Sequence, residues 1–100
     1  MRDYQDWTRA DITARIDALW AENAEYRRCA QRLKEEAAAK IARGGWTAME
    51  AMAIENSSIT AQMGLSQRQG ANAREVQGLQ VELAIRDSPE LVAQFGPGRD

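Results

Sequence analysis

Histidine is absent from this chain, cysteine occurs once, proline twice, and only six of its 100 residues are aromatic. Each shortage excludes something. Without histidine, and with Cys29 alone, neither a zinc site nor a disulfide framework is expected. No apolar run approaches the roughly 18 residues of a membrane span, and the opening "MRDYQDW" has no apolar segment of the signal-peptide kind. The expectation is a cytoplasmic protein with no membrane partner. Large core formers are scarce too, because much of the 44% apolar share is alanine. A short chain with so little to bury is expected to need a partner or copies of itself.

Charge is present but split. Residues 8–43 carry eight basic and six acidic side chains, whereas residues 46–100 carry four and seven. Opposite net signs favour packing one half on the other, modestly and in a salt-dependent way.

Two short stretches repeat a pattern, "WTRAD" at 7–11 and "WTAME" at 46–50. Thr8 reads as a helix N-cap serving the amide of Asp11, and Thr47 with Glu50 reads as a full capping box. Trp7 and Trp46 precede the caps, and Trp7 with Ile12 makes a hydrophobic-staple pair. The echo therefore marks two helix starts, not a ligand motif.

The first helix is expected over 9–43, ending at Gly44-Gly45. Its stripe of Ile12, Ile16, Leu19, Asn23, Tyr26, Ala30, Leu33 and Ala37 steps 4, 3, 4, 3, 4, 3, 4, a heptad seam with Trp20 beside it. The second helix is expected over 48–63, with Met49, Met52, Asn56, Ile59 and Met63 as its apolar stripe, read as core gap-fillers. The short link makes an antiparallel helical hairpin. Residues 64–72, "GLSQRQGAN", read as a break, after which Asn72 and Glu75 offer another cap. Residues 73–87 admit helix or strand: Leu79, Val81, Leu83 and Ile85 alternate as an intersubunit strand would over 79–85. Helix is preferred because the rest of the chain is helical. Ser88 and Pro89 begin a short helix over 89–95, and 96–100 read as a loose tail. The fold class is thus mostly all-α, a single self-associating domain over 1–100.

Nothing here reads as a reaction centre, so no enzyme, cofactor or metal is expected. Arg27 and Arg28 beside Cys29 would activate its thiol, yet no partner base accompanies it. The basic run "RRCAQRLK" offers Arg28 and Arg32 as phosphate contacts, diluted by Glu25, Glu35 and Glu36. A helix-turn-helix across 59–76 fails because Gly70 and Asn72 fall within its recognition helix. The Trp-x-Gly signature of small secreted hairpins is absent as well, since Ala48 stands two residues after Trp46.

A helical hairpin followed by a strand-like segment at 79–85 resembles, in layout, the oligomerisation core of viral small terminase subunits. No residue motif is shared, and the usual N-terminal DNA-binding module has no counterpart. That resemblance implies the alternative function, a nucleic-acid-associated oligomeric assembly protein. The favoured reading is a non-enzymatic interaction module, an assembly adaptor or small inhibitory or regulatory binding protein. With helix two ending near Gly64, part of the seam would stay uncovered. Self-association is therefore expected through Ile12, Ile16, Leu19, Trp20, Asn23 and Tyr26, with a further protein as partner.

Overall fold

A computed structural model describes residues 2–100. Three helices follow in order: α1, Arg9–Ala42; α2, Ala48–Asp87; and α3, Pro89–Phe95. No strand occurs among the described residues, and 79–85 are helical.

The helix starts are where the caps put them. The Asp11 amide donates to Thr8 Oγ1 at 3.0 Å. At α2 the Thr47 amide donates to Glu50 Oε1 at 3.0 Å while the Glu50 amide donates to Thr47 Oγ1 at 3.1 Å, closing the box. Between the helices Gly44 and Gly45 take φ of 79° and 82°, a region that side chains with a Cβ seldom adopt. Trp46 turns back on α1, donating from Nε1 to the Lys40 carbonyl at 2.8 Å beneath the Lys40 ammonium. It thus serves an otherwise orphaned C-terminal carbonyl. At α3 the Leu91 amide donates to Ser88 Oγ.

Two expectations fail. Residues 64–72 are no break: α2 runs unbroken through Gly64 and Gly70 to Asp87, and Asn72 lies inside it rather than at a helix start. Two helical glycines cost about 1 kcal/mol each against alanine, less than inward-facing contacts on either side of them return. The tail over 96–100 is also tied down, as shown below.

Packing divides the chain into two compact units, residues 1–21 with 71–100 and residues 22–70. In the first, Ile12, Leu19, Val76 and Leu79 are fully buried, with Tyr4, Trp7, Ile16 and Leu83 packed around them. Tyr4 and Trp7 meet edge to face, ring centroids 5.3 Å apart. Arg15 and Glu75 link the helices by a two-bond pair at 2.7 and 3.2 Å.

Against this core sits a buried ionic cluster. Glu82 accepts from Arg2 Nε at 2.7 Å and Nη2 at 3.1 Å, and from Arg86 Nε at 2.8 Å. The Glu82 and Arg86 side chains are 2% and 3% exposed. Arg86 Nη2 also donates to the carbonyls of Tyr4, Gln5 and Trp7. Arg2 Nη1 reaches the carbonyls of Phe95 and Gly96. A Cβ at Gly98 would have no room, because the Arg86 side chain fills that space. Gln5 donates to the Pro97 carbonyl and the Arg9 amide to Asp100 Oδ1, completing the fastening of the tail.

The second unit is leaner. Asn23, buried, donates to the Gln69 carbonyl at 3.2 Å; Ser58 Oγ donates to the Leu33 carbonyl at 3.1 Å. The pairing of 23 with 69 and 33 with 58 is antiparallel. Half-buried in this unit are Ala30, Leu33 and Ala37 on α1 and Ile54, Ser58 and Gln62 on α2.

The hydrogen bonds from Arg2, opposed by burial and aided by Arg86, hold the Glu82 carboxyl below its ordinary value of 4.5. A depressed folded pKa makes Glu82 stabilising above the unfolded value, and that contribution disappears as pH falls through the folded value. Glu82→Gln should therefore cost about 3–5 kcal/mol at neutral pH, as breaking a buried pair does. It should also flatten the acid-side fall in urea midpoint expected of the wild type below about pH 4.5.

Candidate docking surface

The seam residues expected to drive self-association are mostly spent inside the chain. Ile12 and Leu19 are buried in the first unit, Ile16 is half-buried there, and only Trp20 stays exposed. In the second unit Asn23 is buried and Tyr26 half-buried, its hydroxyl donating to Glu22 and Arg68 lying over its ring. The expectation of an uncovered seam fails because α2 continues past Gly64, bringing Val76, Leu79 and Leu83 onto Ile12 and Leu19.

The stripe read as core in α2 faces the other way. Met49 is 82% exposed, Met52 60%, Ile59 45% and Met63 58%. The inward positions of α2 are instead Ala51, Ile54, Ser58, Gln62, Leu65 and Gln69 in the second unit, then Asn72, Val76, Leu79 and Leu83 in the first. Steps of three or four residues run through the whole series, the register of a single continuous helix. At about 100° per residue, Met49 and Asn56 lie two positions, some 200°, from the nearest inward residues, whereas Met52 and Met63 lie one position, about 100°, from Ala51 and Gln62.

Ile59, one position from Ser58, borders a shallow groove of about 580 Å³ in the second unit, with Ala38, Ile41 and Ala42 on its α1 side. The outward stripe adjoins this groove at Ile59, and Lys34, Glu55, Ser58 and Gln62 line the groove as well. A separate groove of about 590 Å³ in the first unit is lined by Tyr4, Val81, Ile85 and Phe95, with Arg74 at its rim.

The candidate phosphate contacts are engaged locally. Arg28 donates to Glu25 Oε2 at 2.6 and 3.1 Å, and Arg32 lies 3.7 Å from the same carboxylate. These guanidiniums, Arg28 foremost, hold the Glu25 carboxyl below its usual range. Cys29 is half-buried and free. No group of three or more His, Cys, Asp or Glu side chains placed to hold a metal occurs among the described residues. None of their helices is long and apolar enough to cross a membrane. No family model, curated protein or solved structure matches the chain.

The exposed stripe should be dispensable for folding. Met52→Gln is expected to leave the unfolding free energy within about 0.5 kcal/mol of wild type, whereas Leu79→Ala should cost about 2–5 kcal/mol. Urea titration of both variants makes the comparison.

Proposed function

We propose that the chain is a non-enzymatic protein–protein interaction module, acting as an assembly adaptor or a small inhibitory or regulatory binding protein. The observation that carries this reading is the row Met49, Met52, Ile59 and Met63, exposed on one face of α2 while the opposite face packs on α1. Scattered apolar residues on a surface need no explanation, but four large ones at helical spacing on one side of a helix do. Methionine suits such a face because its unbranched, polarisable side chain adapts to different partners. Fully covering each of these residues is worth roughly 1.5–3 kcal/mol. That total is comparable with the estimated 4–15 kcal/mol cost of association, so binding is exchangeable rather than permanent. Self-association belongs to this reading, carried by the α2 face rather than by the α1 seam.

A nucleic-acid role is disfavoured by the engagement of Arg28 and Arg32 with Glu25. Affinity capture from the source cell with wild type and with Ile59→Glu as baits tests the module. Partners held by the wild type and lost from the variant are expected; partners held equally by both would remove the stripe from the account. A gel-shift titration at two salt concentrations should find no binding. Affinity falling steeply with salt would install the nucleic-acid reading in its place.

A further inference from the structure

We infer that the outward face of α2 binds the same face of a second copy of this chain, with the two α2 helices parallel and in register. This rests on the interaction-module reading and names its partner. Met49, Met52, Asn56, Ile59 and Met63 step 3, 4, 3, 4, so the exposed row is itself a heptad seam. In heptad terms Met49, Asn56 and Met63 take the a positions, Met52 and Ile59 the d positions. The seam is already helical and held by α1, so a copy meets it without the ordering cost that an isolated helix of this length would bear.

Charge selects the occupant. From Ala51 to Gln67 the only ionised side chain is Glu55. Such a face offers a charged partner nothing and matches an equally neutral one. In the parallel arrangement the flanking g-to-e′ neighbours are Glu55 with Thr60 and Gln62 with Gln67, so no like charges meet.

Asn56 selects the orientation. A polar residue at an a position pairs with itself across a parallel, in-register dimer, amide to amide. In an antiparallel pairing a positions face d positions, and Asn56 would lie against Met52 or Ile59 with its amide unsatisfied. The seam from Met49 to Met63 is only about 21 Å long at 1.5 Å per residue. The contact therefore falls at the low end of interface sizes, and dissociation in the micromolar range is expected.

Sedimentation equilibrium of the full chain from micromolar to hundreds of micromolar tests the association. A dimer is expected, weakened at least tenfold by Met52→Glu and by Ile59→Glu, with helical circular dichroism unchanged. A wild type monomeric throughout, or a dimer indifferent to both substitutions, overturns the inference. Either result leaves the capture experiment free to decide whether the stripe binds another protein. Orientation is read separately in a Cys29→Ser background, which also guards against a glutamate variant that fails to fold. Met49→Cys should form a disulfide with its own copy on mild oxidation. Cross-linking only when Met49→Cys is mixed with Ile59→Cys, or Met52→Cys with Met63→Cys, would show the antiparallel pairing and overturn the parallel one.

Discussion

The Glu82 carboxylate, buried between Arg2 and Arg86, is the constraint on which the first unit depends. One acid on α2 gathers a guanidinium from the N-terminal segment and one from its own helix a turn later. Those two guanidiniums then collect carbonyls from Tyr4, Gln5 and Trp7 on one side and from Phe95 and Gly96 on the other. Segments with little regular structure are thereby bound to a helix through charge-assisted hydrogen bonds, stronger than neutral ones. Burial makes this arrangement all-or-none, because losing one partner strands the others in a low-dielectric setting. The four-residue apolar core of this unit is small, and the ionic cluster supplies the specificity of placement that apolar contacts alone do not.

In the second unit the inward positions of α2 are Ala51, Ile54, Ser58, Gln62, Leu65 and Gln69, and Met52 and Met63 fall outside them. Contact through small residues is still productive: Ser58 comes close enough to α1 to donate to a main-chain carbonyl. The exposed row Met49, Met52, Ile59 and Met63 is the physical basis for reading that face as a docking surface.

Much of the fold was legible in the sequence because it is written in local chemistry. Thr8, Thr47 with Glu50, and Ser88 locate three helix starts through side chains that reach amides three residues away, and Gly44-Gly45 locate the turn. The α1 seam was legible for a similar reason. Its heptad is long and uninterrupted, and its inward positions are those the spacing named. The burial of Glu82 and Arg86 left no such signal, since Arg2 and the Tyr4 carbonyl that meet them lie 80 and 82 residues away in the chain. An acid inside "LQVELAI" reads as a solvated position until the N-terminal segment is seen to cover it.

By itself, then, the sequence determined a mostly helical chain, the caps, the turn and the inward face of α1, each set by interactions within a few residues or by an unbroken period. Tertiary structure decided whether α2 crosses Gly64 and Gly70, which of its faces turns inward, and whether the C-terminal segment is fastened. Two glycines and several polar residues weigh against a helix by a kilocalorie or two. Burying Val76 and Leu79 beside Ile12 and Leu19 weighs for it by more. That balance is struck between residues distant in the chain, which is why local propensity points to a break where the folded protein has none.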